Sequence, residues 1–351
     1  MHIFNLHTDV LAVGWVVGQL ADTVQPYIEG LTGSFVVKAT YRLRPDDLPE
    51  PWPEEPLLVC GDKPTPDDPE NSLDYASDFV PYKPRADFAV IGTAHRPAVG
   101  QNSVFPVSVT AGSIRKELIV FGPRKWVPRM FSDRALPGDP GPAESLPLRY
   151  THAWGGHDSE LNPVGLGPES AEVARIEHGP FDPRRDYRTD PEPAAFGPIP
   201  ADFPFRQSRV GTYADDWEKT RWPWLPFDFD WAHYNATAPD QWFEGYLRGD
   251  EPLQFDNMHP EHPAYRSRLP GVKPRLFLQQ LVRLKHEELA FREVPLDLDT
   301  LWVDMDKEQL VLVWRGRAPV LSTKLKDVKN LLVLLEPLDQ PSRPLADYEA
   351  I

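Results

Sequence analysis

Proline is the residue that most constrains this chain, because it occupies 41 of the 351 positions. Average usage is roughly 5 %, so the chain has more than twice the common share. Proline fixes φ and lacks an N–H, and it therefore shortens helices and strands and stiffens the segments that join them. Hydrophobic residues make up 41 % of the chain and aromatic residues 11 %, which is enough to build a large core. We expect short strands, few helices and long ordered loops.

Alternation of apolar and polar residues predicts strands in several segments. These are residues 33–43, 86–94, 104–110, 114–121, 227–231, 300–304 and 309–315. Segments 104–110 and 114–121 predict a hairpin that turns around Gly112. Segments 300–304 and 309–315 predict a second hairpin with its turn at 306–307. Its return strand is apolar on both faces, which favours a central, doubly buried position.

Three further segments have weaker patterns. Residues 276–294 favour two strands that turn near 285–288. Residues 239–247 predict a short helix, with Pro239 at its start and Gly249 as its stop. A terminal helix is predicted from the spacing of Leu325, Val328, Leu332 and Leu335.

The order of these elements indicates the fold class. Residues 45–78 and 128–147 have loop composition, and residues 152–167 read as a shaped, glycine-rich turn region. No βαβ rhythm is present, so we predict a mainly β protein with few short helices. Its antiparallel sheets would form a sandwich or a distorted barrel. The length suits one large domain over 1–351, with a sub-division into 1–126 and 127–351 as the alternative.

Charge and cysteine content narrow the partners and the compartment. The formal net charge is −16, and such a field repels phosphate backbones and anionic membranes. We therefore expect no nucleic acid and no membrane as partner, and we favour a protein with a basic patch. Cys60 is the single cysteine, which fits a reducing compartment. The N-terminus has no targeting pattern, and we predict a cytoplasmic, bacterial-type protein.

Two constellations could support chemistry. His152, His157 and Asp158 lie close in sequence, as do His259 and His262, but their spacing matches no common metal motif, and we expect no metal and no cofactor. On a strand, Asp228 and Asp230 would share one face with Cβ atoms about 7 Å apart. That separation is near the one inverting glycosidases use. The simpler interpretation is that the two acids lie on a solvent-exposed strand face. The alternatives are a glycan-active hydrolase that uses them, or a carbohydrate-binding module that uses exposed tryptophans.

Several blocks in consistent order over residues 10–316 resemble another class of protein. They are Val13-Gly14-Trp15, Val37 to Tyr41, Tyr82 to Asp87, Ile91 to Ala94, Val120 to Trp126, Ala153 to Gly156, Asn162 to Gly167, Phe196 to Ile199, Gly211 to Tyr213, Asp215 to Trp217, Pro226 to Asp230, Asn235, Ala238 to Gln241, Gly249-Asp250, Leu269 to Gly271, Asp299 to Leu301 and Val313 to Arg315. Together they resemble the effector-adaptor (chaperone) family of bacterial type VI secretion, which is encoded beside PAAR-like spike-tip proteins. Pro123 and Trp154 depart from that pattern, where an acidic residue and Phe are usual.

The resemblance implies a non-enzymatic cytoplasmic adaptor. It would bind a cognate effector, through a PAAR-like or other N-terminal region, and help to load it on the secretion spike. Exposed tryptophan and arginine side chains are the usual hot spots of such interfaces. The candidate partner-binding residues are Arg124, Trp126, Trp154, Trp222, Trp224, Asp228, Asp230 and Trp231.

Overall fold

Three large β-sheets dominate the computed structural model, which describes residues 2–18, 31–100, 103–130, 132–167, 170–178, 194–220, 225–283, 287–320, 328–342 and 344. The strands, in chain order, are β1 (His2–Asn5), β2 (Leu11–Gly18), β3 (Leu31–Arg42), β4 (Glu50–Pro51), β5 (Lys63–Thr65), β6 (Asp68–Tyr75), β7 (Asp87–Ile91), β8 (Thr93–His95), β9 (Val104–Ala111), β10 (Ile114–Phe121), β11 (Trp126–Arg129), β12 (Ser132–Pro137), β13 (Ser145–Pro147), β14 (Ile176–Glu177), β15 (Pro252–Asp256), β16 (Ala264–Arg268), β17 (Val272–Arg283), β18 (Glu287–Val294), β19 (Asp297–Asp304), β20 (Gln309–Val320) and β21 (Val328–Pro337).

The helices of the described residues are all short. They are the α-helices α1 (Pro204–Gln207) and α2 (Trp217–Thr220), and the 3-10 helices Tyr150–His152, Trp231–Tyr234 and Pro239–Gln241. No helix in the described ranges has the length and the apolar run that crossing a lipid bilayer demands. The prediction of a mainly β chain with few short helices is confirmed.

The six-stranded sheet is the centre of the fold. Its strand order is β2-β3-β20-β19-β7, and β4 pairs with β3 beside this path. Strand β20 lies between β3 and β19, as its two apolar faces predict. Leu312 and Trp314 on one face enter the largest core cluster, and Val311 and Val313 on the other face enter a second cluster.

Two further sheets share the largest core cluster with the six-stranded sheet. One has the order β14-β10-β9-β15-β16, and the other has the order β1-β21-β17-β18. Phe35, Val107 and Leu278, one from each sheet, belong to this cluster. Most strand pairs are antiparallel; β1 with β21 and β7 with β19 are parallel. The sheets thus pack around a common core and form no closed barrel within the described residues.

The predicted hairpins are confirmed. Strands β9 and β10 turn at Gly112, where φ is +51° and glycine avoids the strain of a Cβ atom. Strands β19 and β20 pair as predicted. Strands β17 and β18 also pair along residues 276–294, and part of their turn (284–286) lies outside the described residues.

Two segments predicted as loops contain strands. The segment 45–78 includes β4, β5 and β6, and the segment 128–147 includes β12 and β13. These strands pair with short partners or along sheet margins, so most of their side chains stay outside the core and show no apolar alternation. In β6 the only apolar alternation is Leu73 and Tyr75, both buried.

The predicted terminal helix is wrong. Residues 328–337 form β21, which pairs with β1 on one side and β17 on the other. A leucine-rich run satisfies the helical spacing and the strand alternation at once, and tertiary pairing decides between them. Val328, Leu331 and Val333 are buried in the core. Leu325 lies outside the described residues.

The helix predicted over 239–247 is reduced to the 3-10 turn Pro239–Gln241. The chain leaves it because Trp242 forms an isolated antiparallel bridge with Asp87 at the β7 edge. Gly249 lies beyond it with φ at +102°, so it still marks a turn.

Candidate partner-binding surface

The segment 226–234 is a turn followed by a 3-10 helix, so the alternating strand predicted over 227–231 is wrong. The Phe229 N–H donates to the Pro226 carbonyl, and the Asp230 N–H donates to the Arg209 carbonyl. Phe227 is 72 % exposed, whereas Phe229 is buried. Trp231 begins the 3-10 helix. Phe227 therefore contributes to the protein surface, whereas Phe229 packs inside and anchors the turn.

Asp228 fixes the turn to the neighbouring loop. Its carboxylate accepts a hydrogen bond from the Thr212 N–H at 2.9 Å and another from the Thr212 hydroxyl at 2.8 Å. These bonds lower the pKa of the Asp228 carboxyl below its ordinary value. A glycosidase acid needs the opposite shift. This observation gives the glycan-hydrolase hypothesis no support.

Asp230 has a capping role. Its Oδ1 accepts a hydrogen bond from the Ala232 N–H at 2.9 Å, at the start of the 3-10 helix. Its Oδ2 lies 3.4 Å from Arg209 Nε. Asp228 and Asp230 are therefore close in sequence without sharing a strand face, and each holds a different loop contact.

Aromatic rings are concentrated in this region. We call Tyr82, Tyr213, Trp217, Phe227, Trp231, Tyr234 and Tyr246 the aromatic surface. Tyr213 and Trp217 meet edge to face with ring centroids 4.9 Å apart. Trp231 contacts Tyr234 at 6.0 Å and Tyr82 at 5.8 Å. Burial raises the pKa of Tyr234, and the Tyr213 side chain adds to the rise. The ring contacts thus fall into two groups, one formed by Tyr213 with Trp217 and one centred on Trp231.

A cation, Arg317, lies beside Tyr82 of the aromatic surface. The Arg317 guanidinium lies over the Tyr82 ring at 4.0 Å from its centroid. The Tyr246 hydroxyl donates to the Lys83 carbonyl at 2.8 Å, and its pKa is raised by burial and by hydrogen bonding with Tyr82. Tyr213 is 46 % exposed and Tyr246 is 36 % exposed. Tyr213 and Tyr246 therefore both present large rings to solvent.

Buried amides hold the aromatic surface against the central sheet. Gln241 Nε2 donates to the Phe88 carbonyl at 2.6 Å and to the Phe196 carbonyl at 2.7 Å. Asn235 Nδ2 donates to the Arg85 carbonyl at 2.9 Å. Gln241 and Asn235 are both fully buried. Because these bonds replace a strand ladder, the ring-bearing turns are fixed to β7 without being part of the sheet.

Buried charges complete the attachment. The Asp87 carboxylate accepts a hydrogen bond from the Ala236 N–H at 2.6 Å and pairs with Lys83 Nζ at 2.8 Å. Arg206 Nε donates to the His233 carbonyl at 2.9 Å. Burial lowers the pKa of His233, and the Arg206 charge acts in the same direction. The surface is therefore preorganised by charged groups that lie behind it.

Arg124, Trp126 and Trp154 form a separate, internal group. Arg124 pairs with the buried Glu177 carboxylate and is itself buried. Trp126 and Trp154 pack at 5.8 Å, and Trp154 is buried. Burial raises the pKa of Glu177, an effect that the Arg124 charge opposes. Arg124 and Trp154 offer no surface to a partner, and Trp126 is half-buried.

The remaining candidate residues, Trp222 and Trp224, lie outside the described residues. Of the predicted set, the structure brings together Asp228, Asp230 and Trp231 at the aromatic surface. The predicted set does not include the other members of this region, which are Tyr82, Tyr213, Trp217, Phe227, Tyr234, Tyr246 and Arg317. Tyr82, Tyr213, Trp217 and Phe227 lie in blocks that the adaptor resemblance uses, and those blocks are the available signal.

A cavity of about 240 Å³ lies where β6, β8, β13 and the β19–β20 turn converge. Its carboxylates already have partners. Asp67 forms a bidentate pair with Arg149, Asp304 pairs with Lys307 at 2.7 Å, and Asp306 accepts both a hydroxyl and an N–H hydrogen bond from Thr93. The arrangement ties four chain segments together, which is a structural role.

His152 ends the 3-10 helix Tyr150–His152, and the other histidines of the two constellations lie on loops. The His259 and His262 rings contact each other at 4.9 Å, and His259 Nδ1 accepts hydrogen bonds from the N–H groups of Glu261 and His262. His157 and Asp158 are exposed neighbours. Within the described ranges, no group of three or more His, Cys, Asp or Glu side chains is arranged to hold a metal ion.

A family model for uncharacterized proteins conserved in bacteria, DUF2169, matches residues 31–315. The chain belongs to this family. The DUF2169 match begins at β3 and ends within β20, so it includes the six-stranded sheet from β3 to the middle of β20 and all seven rings of the aromatic surface. Arg317 lies two residues beyond the match. Searches among curated proteins and among solved structures found no match to this chain.

Proposed function

We propose that this DUF2169 protein is a non-catalytic adaptor that binds another polypeptide through the aromatic surface. The observation that supports the proposal is the set of partly exposed rings, which includes the Tyr213–Trp217 pair and the contact of Trp231 with Tyr82, on and beside turns that buried bonds fix to β7. Tyr and Trp bury large area with few rotatable bonds, and fixed loops lose little entropy on docking. Such a surface suits tight protein association.

The partner follows from the sequence resemblance. Blocks over residues 10–316 resemble the effector-adaptor family of type VI secretion. We infer that the partner is a cognate effector or a PAAR-like spike-tip protein encoded nearby, which the adaptor holds in the bacterial cytoplasm and helps to load on the spike. The DUF2169 description itself names no partner.

Co-expression with the product of each adjacent gene, followed by affinity purification and size-exclusion chromatography, tests the proposal. We expect a stable complex with one of them. Tyr213→Ala with Phe227→Ala should weaken that complex by about tenfold or more, because interface aromatics often contribute over 1 kcal/mol each. Both side chains are exposed, so folding should be kept.

Matched controls separate docking from general hydrophobicity. Leu57→Ala with Val99→Ala removes two exposed apolar side chains elsewhere and should leave the complex intact. Trp231→Ala is a second, more disruptive variant whose folding is checked by its melting temperature. An adaptor role is refuted if no neighbouring gene product associates. The assignment of the surface is refuted if the Tyr213 and Phe227 variant binds like the controls.

A further inference from the structure

We infer that the aromatic surface takes an extended, arginine-containing segment of the partner. This inference rests on the proposed function and specifies the chemistry of the occupant. The first observation is charge. Five exposed carboxylates lie on the turns that bear the rings: Asp215, Asp216, Glu218, Asp228 and Asp230. In the described part of those turns the cations are Arg209, which is beside Asp230, and the exposed Lys219.

The second observation is the mixture of rings and carboxylates. Asp215 and Asp216 lie between Tyr213 and Trp217, and Glu218 follows Trp217, so acids are interleaved with at least partly exposed rings. Arginine is the side chain that uses both kinds of group. Its planar guanidinium stacks on aromatic faces and forms paired hydrogen bonds with carboxylates. Lysine offers a point charge without the stacking plane.

The same contact already occurs within the chain. The Arg317 guanidinium covers the Tyr82 ring of the aromatic surface at 4.0 Å. Arg209, which lies beside Asp230, covers the buried Phe205 ring at 4.0 Å. A partner arginine would make the same stacking contact on Trp231, Tyr234 or Tyr213, with the carboxylates of the turns as acceptors.

Charge also affects the rate of encounter. With a formal net charge of −16, the chain attracts a basic segment over a distance of about one Debye length, near 10 Å at 0.1 M salt. Complementary charge speeds association and discourages acidic competitors. The inference therefore predicts a salt-dependent component of binding that an uncharged aromatic surface would lack.

The test uses two synthetic peptides of about twelve residues, one with four arginines spaced by glycine and serine and one with citrulline in their place. Citrulline keeps the shape and removes the charge. By isothermal titration calorimetry at about 50 mM salt, we expect the arginine peptide to bind at least about tenfold more tightly than the citrulline peptide. Raising salt to about 500 mM should remove most of that difference.

Charge-neutral variants locate the binding. Asp215→Asn with Glu218→Gln should weaken the arginine peptide about fivefold, while Glu55→Gln with Asp158→Asn, a pair of exposed acids elsewhere, should leave it unchanged. Tyr213→Ala should weaken it similarly through lost stacking. Equal binding of the two peptides, or equal effects of the two acid pairs, overturns the inference.

The neighbouring-gene complex separates this inference from the adaptor proposal. If a complex forms and the Tyr213 and Phe227 variant disrupts it, but neither salt nor Asp215→Asn with Glu218→Gln changes its affinity, the adaptor proposal stands and the arginine inference fails. If the arginine peptide binds at the surface but no neighbouring gene product associates, the adaptor proposal fails. The assignment of an arginine-containing ligand to the aromatic surface then still stands.

Discussion

At the scale of single residues, buried polar side chains make specific contacts that join separate segments of this chain. Arg124 and Glu177 form an ion pair whose members are both buried. Arg124 also donates to the Ala174 carbonyl, and its guanidinium stacks on Phe121 at 3.9 Å. The Arg124 side chain thus joins β10 and β14 to the segment around Ala174, which packs with Trp154 in one cluster.

Replacing Arg124 by Met should destabilise the fold strongly. The change leaves the Glu177 carboxylate buried without its cation, and breaking such a pair costs about 3–5 kcal/mol. Urea denaturation measures the free energy of unfolding. The double variant Arg124→Met with Glu177→Leu should recover part of the loss, because no buried charge then remains unpaired.

A surface pair provides the control. Arg115 and Glu117 lie 2.9 Å apart on β10 with both side chains about half exposed. Arg115→Met should change the free energy of unfolding by no more than about 1 kcal/mol. If Arg115→Met and Arg124→Met lower the free energy of unfolding by similar amounts, the buried pair stabilises the fold no more than the exposed pair does.

At the scale of elements, side chains attach the ring-bearing turns to β7 where no strand ladder does. Gln241 reaches two backbone carbonyls, and its Oε1 accepts a hydrogen bond from Lys116 Nζ at 2.9 Å. This amide therefore connects four parts of the chain: the turn after Pro239, the strand β7, the segment around Phe196 and the strand β10.

Gln241→Leu should loosen the turn while leaving the sheet in place. Two carbonyls and one ammonium lose a buried partner, so we expect a loss of about 1–3 kcal/mol per unsatisfied group at most. Hydrogen exchange followed by mass spectrometry should show faster exchange in residues 231–247 than in β20. Gln207→Leu, which changes an exposed amide, is the matched control. Uniform acceleration over both segments would contradict local attachment.

The elements also show what sequence can and cannot predict. Strands β9, β10, β19 and β20 were predicted because apolar alternation marks a half-buried strand and a doubly apolar run marks a central one. Strand β21 was missed because Leu331, Leu332, Leu334 and Leu335 satisfy two periodicities. The strand predicted at 227–231 failed because Asp228 and Asp230 bind local N–H groups and favour turns over ladders.

The candidate site divides in the same way. Trp231, Asp228 and Asp230 were identified because they lie together in sequence. Tyr82 lies 149 residues before Trp231 (231 − 82) and Arg317 lies 86 residues after it (317 − 231), and only the pairing of β7, β19 and β20 brings them to the same surface. Arg124 and Trp154 were placed with them because sequence does not distinguish an exposed indole or guanidinium from a buried one.

At the scale of the whole molecule, one core cluster unites the three sheets. It contains Phe35 and Val107 from the first third of the chain and Leu278 and Leu312 from the last. A boundary near residue 126 would cut across this cluster. Because 1–126 and 127–351 share this largest core, we predict that residues 1–351 unfold as one domain.

Scanning calorimetry tests that prediction. We expect one transition with a calorimetric enthalpy close to the van't Hoff enthalpy, as cooperative domains show. Leu312→Ala, a buried truncation in β20, should lower the melting temperature of the entire transition, since such cavities cost about 2–5 kcal/mol. Two transitions, of which only one moves with Leu312→Ala, would show that 1–126 and 127–351 are separate units.

The attachment of the ring-bearing turns through Gln241, Asn235 and Asp87 has a consequence for divergence within the family. Inside a ladder, an inserted residue shifts every following side chain to the opposite face. Turns held at a few amide and carboxylate points tolerate insertions and new side chains between those points without disturbing strand register. We therefore expect homologues to differ in the side chains and lengths of these turns while keeping the same sheet.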